Sequence, residues 1–162
     1  MNGPHKRLLL ISALLSGQTT LSLATTGEDG EAWVAPLFYL ADEELSLYWL
    51  SSESSLHSLN LNRTPRAAAT VYRGAARWKE IRGVQMRGSV SKVTGPERRA
   101  ALIKAYCERF SIGRVFSLAI RQSAVYAFQP EFVRYIDNAR GFGFKFELTR
   151  QPEGWRMTRP TD

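Results

Sequence analysis

The 162 residues carry 44% hydrophobic and 23% charged side chains and a formal net charge of +7, the balance of a globular domain rather than of a disordered or membrane-spanning chain. That length holds one domain with a core that needs no staple. With Cys107 as the lone cysteine and only His5 and His57 beside it, an internal disulfide and a convincing zinc or haem-type ligand cluster are both excluded.

In chain order, Pro4 to Ser16 places Leu8, Leu9, Ile11, Leu14 and Leu15 at helical spacing, with Pro4 suited to a first turn and Gly17 to a stop. Its apolar run is about half of what a bilayer crossing needs, and no secretory cleavage pattern follows, so a core helix and a cytoplasmic protein are expected. Thr19 to Thr26 and Trp33 to Leu40 read as strands joined by turn chemistry at Glu28-Asp29-Gly30. Asp42-Glu43-Glu44 turns the chain into a strand from Leu45 to Ser51. A short helix-compatible stretch, Ser54 to Asn62, ends before Pro65 and a strand from Ala67 to Arg73.

Glu80 to Val93 reads as one long strand with Gly83 and Gly88 as sites of bending or close approach. Pro96 opens a helix through Phe110, a second helical stretch runs from Gly113 to Ile120, and Ala124 to Gln129 and Phe132 to Asp137 are strand-like. About six or seven antiparallel strands with flanking helices predict a mainly β fold, a barrel rather than a parallel α/β sheet. One domain over 1–150 is expected, with 151–162 a loosely structured tail. Neither a dinucleotide fingerprint nor a P-loop is present.

The most informative segment runs from Leu50 to Ala67. It joins a strand end, the hydroxyls of Ser51 to Ser55, and a short helix carrying His57 and Arg63. Hydroxyls, free N–H groups at a helix N-terminus and a side-chain cation form a phosphate cradle. A Ser-rich capping loop with a surface histidine explains the same residues when the segment is taken alone. The basic stretch Arg63, Arg66, Arg73, Arg77, Lys79, Arg82, Arg87 and Lys92 is interrupted by Glu53 and Glu80 and lacks a recognition-helix pattern. A solvated basic face is therefore favoured over a nucleic-acid interface.

With its flanks, the segment resembles the FMN-phosphate segment of the pyridoxamine-phosphate-oxidase-like split barrels, a strand followed by [Thr/Ser]-x-x-x-Ser-x-Lys, a short helix and Asn-Pro. Here Ser51, Ser55 and His57 fall on the two hydroxyls and the cation, bordered by Leu50 and Leu56, and Thr64-Pro65 replaces Asn-Pro. The histidine is a departure, carrying full charge only below its pKa. Upstream, the strand Ala35 to Tyr39 resembles the one whose backbone edges the flavin, which implies Pro36, Leu37 and Phe38. Downstream, Ile81-Arg82-Gly83-Val84-Gln85 resembles the long strand approaching the flavin pyrimidine, which implies Gly83 and Gln85. A closer similarity, to an uncharacterised bacterial subgroup, pairs that strand with the run Asp137-Asn138-Ala139-Arg140-Gly141-Phe142-Gly143-Phe144-Lys145.

The resemblance implies FMN as cofactor and a homodimer whose subunits share the flavin sites, Asn138, Phe142 and Lys145 reaching the partner's cofactor. It implies an FMN-dependent oxidoreductase of unknown small-molecule substrate, with a non-enzymatic flavin or tetrapyrrole binder as the alternative. The late Arg-x-His-Asp-Arg run of the true oxidase is missing, so vitamin B6 oxidation is not expected. Tyr106 and Arg109 or Arg114 are loose matches to the family's substrate-phosphate residues, and no acid–base residue stands out.

Overall fold

The computed structural model describes residues 4–113 and 117–158. Helix α1 (Pro4–Gly17) buries Ile11, Leu14 and Leu15, spaced i, i+3 and i+4 on one stripe, and leaves Leu9 in solvent. Strand β1 (Thr20–Thr26) alternates, burying Leu21, Leu23 and Thr25, and pairs along its whole length with β2 (Ala32–Phe38). Gly30 closes their hairpin at φ +84°, a backbone shape that favours glycine.

Tyr39 alone separates β2 from β3 (Leu40–Ala41), where a single strand had been expected. β3 pairs with β4 (Leu47–Ser51), and the short α2 (Leu56–Arg63) leads into β5 (Arg66–Arg73). A 3-10 turn (Trp78–Glu80) precedes β6 (Arg82–Lys92), followed by α3 (Pro96–Arg109) and α4 (Ser117–Gln122). Of the helix expected from Gly113, residues 114–116 lie outside the described residues.

All strand pairs are antiparallel, and with β7 (Ala124–Asp137) the main path runs β2-β1-β5-β6-β7-β4-β3. The two ends of that path, β2 and β3, are consecutive in the chain, so the sheet curls into a split barrel joined at Tyr39. That residue is fully buried and donates its hydroxyl to the Leu15 carbonyl at 2.6 Å.

The two late strand-like segments are one strand, β7 (Ala124–Asp137), which runs through Pro130. The register with β6 shifts there, Arg87 facing Phe132 and Gly88 facing Pro130, so Glu131 is the extra residue of a bulge. A proline offers no ladder donor, and a bulge is where a central strand tolerates one. Residues expected as a loose tail instead complete β8 (Lys145–Gln151), a turn and β9 (Gly154–Thr158). The main path holds seven strands, within the expected six or seven, and β8 and β9 extend it from β7 to make nine among the described residues. The period-two signal was present: Phe146 and Leu148 are buried, and Trp155 and Met157 pack against the core.

Gly88 is fixed by space. A Cβ there would lie 2.0 Å from the Gln129 carbonyl oxygen, while one at Gly17 would meet nothing. We expect Gly88→Ala to destabilise the fold by about 3 kcal/mol or more and Gly17→Ala to cost nothing, as measured by urea denaturation; equal midpoints would remove the bulge from the account.

Candidate functional site

Ser51 ends β4, and the loop that follows returns Ser55 and His57 to it. Ser51 Oγ lies 2.6 Å from His57 Nε2, Ser55 Oγ lies 3.1 Å from the same nitrogen, and the two hydroxyl oxygens are 3.5 Å apart. Ser55 is the N-cap of α2, yet its side chain caps no helical N–H. Its hydroxyl is committed to the Ser52 carbonyl and to Ser58 Oγ, each at 2.8 Å. The first-turn N–H groups of α2 lack intrahelical partners, as in any helix, and no side chain of the N-cap takes their place. Two hydroxyls, an imidazole and these N–H groups thus converge at the positive end of a helix dipole.

His57 is half-buried, and burial holds its pKa below the ordinary 6.5. The ring is therefore neutral at neutral pH, with one nitrogen able to donate and the other to accept. Sequence reasoning missed Lys92, which ends β6 and ion-pairs with Glu53 in the serine loop. No local pattern could reveal it, because the two are 39 residues apart and are brought together by the β6–β7–β4 register.

The expected site residues separate into two groups. Pro36, Leu37 and Phe38 lie on β2 beside β4, and α2 packs on β1 and β2, so these residues share a neighbourhood with Leu50, Ser51, Ser55, Leu56 and His57. Pro36 and Phe38 face outward, Leu37 packs against the core, and Leu50 is half-buried. Gly83 and Asn138 lie at the other end of β7: Gly83 faces Ile136, and Asn138 donates its amide to the Trp78 carbonyl at 2.9 Å. Lys145 begins β8 opposite Ile136.

Ser51 faces Ala124 at the start of β7, so a length of strand on the order of 40 Å separates the groups. Gln85 is exposed between them, opposite Thr70 and Arg134, beside a cleft of about 370 Å³. Gly83 has a structural reason of its own, since a Cβ there would come within 2.9 Å of Tyr72 Cβ. The loose matches on α3 are occupied structurally. Tyr106 donates to the Phe38 carbonyl and Arg109 to the carbonyls of Ser16 and Gln18; Arg114 lies outside the described residues. No group of three or more potential metal ligands occurs among the described residues, and no described helix is long and apolar enough to cross a membrane.

A family model described as pyridoxamine 5'-phosphate oxidase matches residues 10–137. A UPF0306 protein of Yersinia pseudotuberculosis is 31% identical over 151 residues, covering 93% of this chain and 97% of that protein. Among solved structures, HutZ, the heme storage protein of Vibrio cholerae, superposes with a TM-score of 0.64 at 20% identity over 76% of this chain and 89% of that one. A Clostridium acetobutylicum protein related to general stress protein 26, of the pyridoxinephosphate oxidase family, gives 0.69 at 14% identity over 91% and 96%. At these identities the two structures establish the fold alone.

The depressed pKa of His57 has a thermodynamic consequence. Below pH 6.5 the unfolded chain takes up a proton at this histidine before the folded one does, so stability falls as pH drops through and below that value. In urea denaturation, the wild type should lose more stability between pH 7.5 and pH 5.5 than His57→Gln does; parallel losses would mean that burial does not perturb the ring.

Proposed function

The chain belongs to the pyridoxamine 5'-phosphate oxidase family, and on that premise we propose that it binds FMN with the phosphate held by Ser51, Ser55, His57 and the first-turn N–H groups of α2. The observation that carries this reading is the convergence of both hydroxyls on one imidazole nitrogen at an N-terminus that its own N-cap side chain leaves uncapped. A phosphate has the acceptor oxygens and the charge that such a cradle takes.

In this reading the protein is a flavin-dependent oxidoreductase. The bound flavin supplies the hydride chemistry, and the chain supplies placement and polar contacts. Leu37 and Phe38 border the ring, and Gln85 offers an amide for hydrogen bonding. Two copies complete the site: the Ser51–His57 group of one protomer meets the Gly83, Asn138 and Lys145 group of the other, which the separation of the two groups within a chain supports. Exposed apolar side chains on β2 and α2, among them Val34, Phe38, Leu56 and Leu59, are suited to lie against the second copy.

The alternative is a tetrapyrrole binder, favoured by neighbours described as a heme binding protein of Mycobacterium smegmatis and a heme storage protein. It would call on His57, the histidine held in the site, or on His5 in the exposed first turn of α1.

Flavin fluorescence quenching separates these readings. FMN should bind, riboflavin should bind at least tenfold more weakly, and His57→Ala should weaken FMN by about 1–3 kcal/mol while leaving riboflavin unchanged. His57→Lys should restore FMN binding above neutral pH. Equal affinity for FMN and riboflavin, or a Soret band on adding hemin with no flavin quenching, would overturn the proposal.

A further inference from the structure

Val71 and Val84 face each other across β5 and β6 in the fully buried core, and two residues farther along the same ladder the pair becomes Arg73 and Arg82. Like charges directly opposite each other across a strand pair are destabilising, yet here they stand side by side at the open end of the barrel. Both line two adjoining clefts of about 400 and 410 Å³.

The neighbouring carboxylates offset only part of this charge. Asp137, 2% exposed, takes a two-point contact from Arg82 at 3.2 and 3.3 Å and is shared with Arg140 at 3.3 Å, while Glu80, which also lines the first cleft, pairs with Arg77 and feels Arg73. With Lys79 also lining the first cleft, five cations face two carboxylates among the described residues there.

An aromatic pair adjoins the first cleft through Lys79, whose ammonium lies 5.4 Å from the centre of the Trp78 ring. Trp78 is 50% exposed and Phe142 is 87% exposed, and their rings meet edge to face at 5.6 Å. Phe142 stands between Gly141 at φ +141° and Gly143 at φ +69°, two backbone shapes that favour glycine. The loop therefore spends conformational freedom on holding a large apolar ring out in water. Asn138 bonds the Trp78 carbonyl, which ties the aromatic loop to the 3-10 turn and fixes the pair.

We propose that this cleft binds a small planar acid, a flat ring system carrying a carboxylate or phosphate, with the anion between Arg73, Lys79 and Arg82 and the ring against Trp78 and Phe142. Guanidinium pairs bind carboxylate and phosphate oxygens through two parallel hydrogen bonds, and an exposed aromatic pair offers faces and edges on which a flat ring packs. None of these residues belongs to the Ser51–His57 cradle; Phe142 and Asn138 lie on the loop that the proposed dimer turns toward the partner's flavin, and the arm of the test with saturating FMN tells the two sites apart.

The test uses the full chain and 2-naphthoate, followed by fluorescence anisotropy with and without saturating FMN. Naphthoate should bind in both conditions. The uncharged 2-naphthamide and the variants Arg73→Gln and Lys79→Gln should each bind about tenfold more weakly, Phe142→Ala severalfold more weakly, and His57→Ala as the wild type does. Absence of naphthoate binding, equal affinity for the amide, unchanged affinity in both charge variants, or displacement by FMN together with sensitivity to His57→Ala would overturn the proposal. Failure of His57→Ala to affect FMN would count against the phosphate cradle alone.

Discussion

Tyr39 carries the chain from one edge of the sheet to the other in a single residue. β2 pairs outward through β1, β5, β6 and β7 to β4, and β3 closes the path on the strand that leads back to Tyr39. An open sheet would leave two unpaired edges; here the edges are parts of one chain run, pinned by a fully buried phenol that donates to the Leu15 carbonyl. Burial pushes that phenol's pKa well above the tyrosine range, so the donor is retained at any ordinary pH. Because β3 pairs with β4, the same closure sets the C-terminal half of β2 beside the end of β4, where Ser51 lies. The cradle is thus positioned by topology as much as by its own loop.

Within the cradle, the departure from lysine to histidine changes the electrostatics more than the geometry. A lysine would bring a fixed charge with a strong hydration shell. His57 is held neutral at neutral pH by burial and tied to two serine hydroxyls, which avoids a costly unpaired charge, and in the proposed reading a phosphate dianion favours the protonated ring. The opposite end of the barrel follows a different rule: there the cations are permanent, the two carboxylates are already shared, and arginines face each other across a ladder. In the proposed reading one end is tuned by proton uptake and the other by standing charge.

Most of the strands were legible because they alternate and their turns carry Asp, Glu and Gly, whereas their order in the sheet was not. Ser51, Ser55 and His57 were legible as a group because seven consecutive positions span the whole cradle. What the sequence concealed depends on long-range register. Pro130 reads locally as a strand break, yet a bulge opposite Gly88 lets β7 run through it. The last two strands were hidden by the glycines and polar residues between them, although Phe146, Leu148, Trp155 and Met157 keep the apolar alternation. Gly83 reads as a point of close approach, but nothing local says that Tyr72, across the ladder, is what approaches it. Asn138 and Lys145, near each other in sequence, lie a barrel length from Ser51, and nothing local predicts on which side of a site they fall.

The central claim is that the hydroxyls of Ser51 and Ser55 and the ring of His57 receive a phosphate. Phosphorus-31 NMR of FMN titrated with the protein near pH 6 reads that group directly, since a free phosphate monoester is about half protonated there. The account predicts a shifted, broadened resonance at the dianion position that moves back toward free FMN in His57→Ala. A phosphate signal that stays at the free position while the flavin absorbance is perturbed would contradict it, because the ring would then be bound with its phosphate left in water.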